Sequence, residues 1–115
     1  MVEINIVFLE EAREYLGSLE IKVREKVISN IHRIAKGEKN IELFKKLEGS
    51  TYIWEFKTKY CGIAYRLFAF WDTEKETIIV ATHGIKKKTQ KTPKKEIDKA
   101  NNIRDKYFNL KRQLK

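Results

Sequence analysis

Disulfide-forming and turn-forming residues are scarce in this chain of 115 residues, which holds one cysteine, one proline and five glycines. The lone thiol, Cys61, cannot close an intramolecular disulfide, and without a CxxC pair or a Cys/His cluster no structural zinc site is expected. Such a chain suits a reducing compartment, so a cytoplasmic location is expected. Long apolar runs are missing too. Nothing approaches the ~20 residues that cross a bilayer, and the start, Met-Val-Glu-Ile-Asn-Ile, lacks the basic flank and apolar stretch of a secretion signal. No membrane partner is expected. Glycine-rich phosphate loops, HExxH, GxSxG and carboxylate clusters able to hold a metal are all absent. The standard metalloenzyme and serine-hydrolase chemistries are thereby excluded, and no cofactor is expected.

What the chain has in excess is positive charge, unevenly placed. Lys and Arg number 25 against 16 Asp and Glu, a net +9. Residues 86–115 hold 12 basic and 3 acidic side chains and so carry the whole surplus, whereas residues 1–85, with 13 of each, are neutral. Hydrophobic residues at 42% and aromatics at 11% are too many for a disordered chain. A single domain spanning 1–115 can bury about two thirds of its unfolded surface without metal or disulfide support.

Val2, Ile4, Ile6 and Phe8 alternate with Glu3 and Asn5, the period of a half-buried strand. Leu9, Ala12 and Leu16 follow helical spacing, and Gly17 is placed to end that helix in a left-handed conformation. Ser18 is expected to cap a second helix with Glu20 in its first turn, and Leu19, Val23, Val27, Ile31 and Ile34 carry its apolar face up to Gly37. Within 38–50, Ile41, Leu43, Phe44 and Leu47 suggest a helical turn before the breaker pair Gly49-Ser50. Residues 51–85 predict an antiparallel three-stranded meander. Tyr52, Trp54 and Phe56 lie on the face opposite to Ile53, Glu55 and Lys57, a turn falls near Lys59 to Gly62, the second strand runs from Ile63 to Trp71, and Thr77 to Ile85 forms the third. Thr92 predicts an N-cap with Pro93 at the first helical position. The helix that follows is marked by Ile97, Ala100, Ile103, Tyr107, Leu110 and Leu114, with 111–115 as a frayed tail. The order βαα-βββ-α defines an α+β domain with helices packed on a small sheet.

Chemistry must then come from cations and a few polar groups: Lys57 and Lys59 at the end of one strand, Arg66 within the next, and the run His83-Gly84-Ile85-Lys86-Lys87-Lys88-Thr89-Gln90-Lys91-Thr92-Pro93. Such a set can hold phosphates. Arg66 admits two readings. It is a surface strand arginine or a partner for Glu55, or else a guanidinium held by packing, since eight of the nine residues from Ile63 to Trp71 are apolar or aromatic. Held so, it can grip a phosphate through two N–H bonds and offset charge developing there. Lys86, Lys87 and Lys88 bridge a strand and a capped helix, two rigid elements that would keep them near the sheet. His83 alternates with Ile79, Ala81 and Ile85 and reads as structural, His32 as a surface or packing residue, and Trp54 and Phe56 as core. Tyr107 shares a helix face with Ile97, Ala100 and Ile103, which makes it core by default; in a basic site its phenol would have a lowered pKa and could exchange protons or stack on a base. Cys61 lies in a turn with no base partner.

The pieces Trp54-Glu55-Phe56-Lys57, Gly62-Ile63-Ala64-Tyr65-Arg66-Leu67-Phe68 and His83 through Pro93, followed by Glu96-Ile97 and Ala100, resemble the phage Gp49-like/HigB-like toxins of the RelE/ParE superfamily. The resemblance covers roughly residues 41–108. It implies a RelE-like fold and the toxin of a type II toxin–antitoxin system. That toxin would be an mRNA endoribonuclease (mRNA interferase) that inhibits translation, commonly acting on the translating 70S ribosome. The implied mechanism is metal-independent: the RNA 2′-OH attacks the adjacent phosphate and leaves a 2′,3′-cyclic phosphate or 3′-phosphate and a 5′-OH. The parts available are Arg66 for the phosphorane charge, Lys87 or Lys88 for phosphate contact or acid–base help, Lys57 as a second cation and Tyr107 as a polar participant. Lys59, Lys86, Gln90, Lys91 and Lys94 surround them as RNA contacts. Position 57 holds lysine where the family usually has arginine, Ile85 replaces a commonly aromatic residue, and Lys86 adds a third lysine; the functional member of the run is expected in the order Lys87, Lys88, Lys86. The implied partner is a cognate antitoxin, a helix-turn-helix DNA-binding protein whose acidic segment would complement residues 86–115. The HG-x-KK-TQKTP junction favours the ribonuclease branch over two alternatives, a ParE-like gyrase-binding toxin and a non-enzymatic RNA- or ribosome-binding module.

Overall fold

The computed structural model describes residues 3–75, 77–80, 85–87 and 93–114, with 79–80 and 85–87 described as backbone only. Along the chain run β1 (Asn5–Phe8), α1 (Glu10–Ser18), α2 (Ile21–Ala35), β2 (Phe44–Lys46), β3 (Trp54–Tyr60), β4 (Ile63–Asp72), β5 (Thr77–Val80), β6 (Ile85–Lys87) and α3 (Lys94–Gln113). The strands form one sheet in the order β1-β5-β4-β3-β2, with β6 also paired to β4. β3, β4 and β5 form the expected antiparallel meander; of the expected third strand, 77–85, β5 holds Thr77–Val80, residues 81–84 lie outside the described residues and Ile85 starts β6. β1 joins β5 in parallel, Asn5 opposite Thr77, a pairing that the alternation of one strand cannot reveal.

Alternation along the strands sends side chains to two covered faces. On one, Ala12 and Leu16 of α1 and Val23, Val27, Ile31 and Ile34 of α2 pack with Phe56, Tyr65, Leu67, Ala69 and Ile78. Buried Asn30 of α2 is satisfied there, its amide donating to Thr58 Oγ1 at 3.1 Å. On the other, Ala100 with Ile97, Ile103, Tyr107 and Phe108 of α3 packs on Leu47, Ile53, Phe68 and Phe70. Phe68 and Phe70 are fully buried, each contributing about 1.5–3 kcal/mol of transfer free energy.

Local departures from the sequence pattern have identifiable causes. α1 runs through Gly17 to Ser18, and Arg24 of α2 reaches back to donate to the carbonyls of Leu16 (2.8 Å), Gly17 (3.1 Å) and Leu19 (3.0 Å), satisfying the helix end that a left-handed glycine was expected to close. Ser18 is no cap: its hydroxyl donates to the Tyr15 carbonyl (2.6 Å), and α2 starts at Ile21 behind Glu20. Gly37, at φ 101°, does end α2, through Gly37 N–H to Ile34 O (2.9 Å) and Glu38 N–H to Arg33 O (3.1 Å). The expected helical turn is confined to 40–44, where Leu43 N–H (3.1 Å) and Phe44 N–H (3.0 Å) donate to Asn40 O, and β2 follows it at once, Phe44 opposite Phe56. In a strand of three residues, apolar spacing of three mimics a helical turn, and Lys45 and Lys46 make this a charged sheet edge. α3 begins at Lys94, with Pro93 itself as the cap residue; its ψ of 144° is non-helical and its carbonyl accepts from Glu96 (3.1 Å) and Ile97 (3.4 Å). Thr92 lies outside the described residues.

The end of α3 is anchored rather than frayed at 111. Asp72, fully buried at the end of β4, accepts the Tyr107 hydroxyl (2.6 Å) and the Lys111 ammonium (2.8 and 2.9 Å), which also reaches Glu74 (2.9 Å). Arg104 adds a stacked contact 3.7 Å above the Tyr52 ring. Burial alone would raise the Asp72 pKa, but the hydrogen bonds from Lys111 and Tyr107 outweigh it and hold the carboxyl below its ordinary value. A folded-state pKa below the unfolded one means that this stabilisation is complete above about pH 4 and is lost as the pH falls through the folded value. Asp72→Asn should therefore destabilise the domain by about 1.5–3 kcal/mol at neutral pH, and the gap to wild type should narrow near pH 3. Urea unfolding at the two pH values checks this; an equal deficit at both would contradict the clamp.

Candidate nucleic-acid interface

The β3–β4 hairpin positions the cations. Tyr60 pairs with Ile63 across a two-residue connection, Cys61-Gly62, with φ of 49° and 77°. Two positive φ angles in succession form the turn whose twist matches a hairpin, so the register of both strands is set from that end. Lys57 then falls opposite Arg66, and Lys59 opposite Ala64. β2 adds Lys45 opposite Glu55, and β6 adds Lys87 opposite Ala64 and Ile85 opposite Arg66. Residues directly opposite share a sheet face. Two adjacent rows on the face that α3 partly covers thus read Lys59, Ala64, Lys87 and Lys57, Arg66, Ile85. Lys86 falls in the row of Thr58 and Tyr65, which has the other parity.

Within this group Arg66 is 3% exposed and its Nη1 donates to Glu55 Oε2 at 3.0 Å, the carboxylate being fully buried. Lys57 is half-buried, while Lys45 and Lys59 are exposed. The Lys57 ammonium titrates below the ordinary lysine range, first because burial disfavours its charged form and then because Arg66 and Lys59 repel it, with Glu55 opposing and Lys45 adding a smaller push. Lys94 sits exposed at the first turn of α3. Lys88, Gln90, Lys91 and His83 lie outside the described residues.

Tyr107 requires a correction. Its hydroxyl is bound to Asp72, and its ring packs 5.3 Å from Phe70 and 5.1 Å from Phe108. Asp72 lies six residues beyond Arg66 on β4, about 20 Å along a strand. Burial, with the Asp72 hydrogen bond adding, pushes the phenol up to about 12, opposite to the lowering expected beside cations. Tyr107 belongs to the anchor of α3. Two members of this charged group were not singled out in the sequence as functional: Lys45, hidden by the helical reading of 38–50, and Glu55, weighed only as a partner for Arg66.

Elsewhere, an apolar cavity of about 590 Å³ is lined by Ile4, Ile34, Ile41, Phe44, Trp54 and Trp71. It lies on the α2 side of the sheet, with Phe44 stacked on Trp54 at 4.8 Å. Among the described residues no three His, Cys, Asp or Glu side chains group to hold a metal, and no helix is long and apolar enough to cross a membrane.

A helical pair and a C-terminal helix on opposite faces of a mixed sheet, with cations converging on one side of a hairpin, define a RelE-like fold. A mutant of the E. coli toxin RelE in the free state superposes with a TM-score of 0.57 at 22% identity, covering 71% of this chain and 82% of that one. The toxin–antitoxin complex RelBE2 from Mycobacterium tuberculosis superposes with 0.52 at 22% identity, covering 77% and 97%. The family model for Phage derived protein Gp49-like (DUF891) matches residues 14–105, and the chain belongs to that family. Comparison with curated protein sequences yields no match.

If Arg66 helps depress the Lys57 pKa, Arg66→Gln should raise it toward the ordinary lysine value. NMR titration of the Lys57 side chain measures this, and an unchanged titration would separate the two groups.

Proposed function

We propose that this chain is the toxin of a type II toxin–antitoxin pair and an endoribonuclease that cuts mRNA on the translating ribosome. The observation that carries this reading is the convergence of Lys57, Lys59 and Arg66 with the register position of Lys87 on one sheet face. A single-stranded RNA backbone laid across those rows meets phosphate-binding groups at successive positions. The 2′-oxygen attacks the neighbouring phosphorus, the 5′-oxygen leaves, and the products are a 2′,3′-cyclic phosphate and a 5′-OH. Lys59 and Lys87 hold the backbone by charge. Lys57, whose proton is held less tightly than that of an ordinary lysine, is the group suited to proton transfer at the reacting oxygens. Arg66 supplies positive charge from just beneath the surface, in a low-dielectric layer where that charge is felt more strongly than in water. Lys88, Gln90, Lys91 and Lys94, which follow Lys87 in the sequence, are the further RNA contacts of this proposal. Lys86, on the other parity, supplies general attraction.

A cognate antitoxin follows from the same reading, because RelBE2 is itself a toxin–antitoxin complex. An acidic segment of a helix-turn-helix partner would neutralise residues 86–115 and cover the rows.

Induction of the chain in growing cells should give discrete cuts in translated mRNA by primer extension. Arg66→Gln, which removes the charge, and Lys87→Ala should each reduce cutting by about 10²-fold, with Lys86→Ala close to wild type. Gyrase-dependent DNA breaks with intact mRNA would instead identify a gyrase-binding toxin, and translation arrest without cuts a binding module.

A further inference from the structure

We propose that Glu55 is a positioning residue of this site, acting on RNA through Arg66 without touching the reacting atoms; the inference rests on the ribonuclease reading above. Register makes the reason visible. Arg66 stands directly opposite Lys57, a like-charge pair that is unfavourable across two strands, and only diagonally from Glu55, which is itself opposite Phe68. Left to Lys57, the guanidinium would turn away. It leans along β4 to Glu55, with Nη1 at 3.0 Å from Oε2, in a place where it is 3% exposed and the carboxylate fully buried.

Glu55 is also hemmed by cations on its own face, with Lys45 opposite it on β2 and Lys57 two residues along β3. One carboxylate among Lys45, Lys57, Lys59 and Arg66 leaves the group net positive, so phosphate is still attracted while the most buried of these cations has its direction set. Phosphate does not take Arg66 from Glu55, because pulling apart an ion pair of 3.0 Å whose two members are both buried is strongly unfavourable. The pair therefore persists with RNA bound, and Glu55 determines the direction in which the arginine fork presents its charge.

The test is a mutant cycle on the full-length chain, measuring single-turnover cleavage of ribosome-bound mRNA together with RNA affinity and its salt dependence. Glu55→Gln should slow cleavage by up to about 100-fold, while RNA binds as tightly or more tightly with a steeper salt dependence, since the site gains a positive charge. Glu55→Asp, which keeps the charge at shorter reach and guards against misfolding of the Gln variant, should recover part of the loss. In an Arg66→Gln background, Glu55→Gln should cost less than about 2-fold more. Additive losses would show that Glu55 acts independently of Arg66, and faster cleavage by Glu55→Gln would show that it restrains Arg66; either overturns the proposal. Wild-type protein that leaves mRNA intact in the same assay overturns the ribonuclease reading. The pairing is tested apart from activity by the Arg66 guanidinium NMR signals: slow Nη rotation in wild type should become fast in Glu55→Gln, and rotation that stays slow refutes the role of Glu55.

Discussion

A strand buried on both faces has no solvent side on which to place a charge, and β4 is such a strand, buried at every residue from Tyr65 to Phe70. Its two charged side chains, Arg66 and Asp72, must each find a partner, because an ion left alone in the interior is far too costly. Both point to the α3 face, near opposite ends of the strand. Asp72 is met by Tyr107 and Lys111, so it ties the last turns of α3 to the sheet. Arg66 is met by Glu55 from the neighbouring strand. One charge thus anchors the covering helix, and the other lies where the cations gather.

This division explains why the charge surplus and the candidate site are different things. Residues 86–115 carry the entire net +9, yet Lys111 of that segment is committed to Asp72 and Glu74. Lys57 and Arg66, which stand opposite each other across β3 and β4, belong to the stretch whose net charge is zero. Arg66 is buried and Lys57 half-buried, so their charges interact more strongly than they would on a solvated helix. The aromatic group of Phe44, Trp54 and Trp71 occupies the other side of the sheet, where its role is packing against α2 and the turn that follows it.

Particular residues show how far the chain could be read without coordinates. Gly37 ended a helix as expected, because only a residue at ease with positive φ suits that closure. Gly17 did not, because Arg24 from the next helix supplied the missing donors, a contact no local rule contains. The helical turn expected within 38–50 is present at 40–44, but β2 after it was missed because three residues are too few to separate one period from another. Arg66 stood out as a cation in an apolar run, and Glu55 was weighed beside it as a partner. Tyr107 is inward as its helix face implied, but the face of a helix leaves open what an inward residue meets, and its hydroxyl meets Asp72 and not the cations.

By itself the sequence determined the succession of most strands and helices, a turn near Lys59 to Gly62, the location of the charge surplus and the motif pieces that resemble the Gp49-like family. These follow from spacing, turn chemistry and composition, all of which are local. The tertiary structure alone decided that Lys87 and Lys86 take opposite parities, that β1 closes the sheet in parallel, that Tyr107 serves Asp72 and that Arg66 leans toward Glu55. Each depends on register between segments distant in the chain, where a slip of one residue would exchange the two faces of a strand.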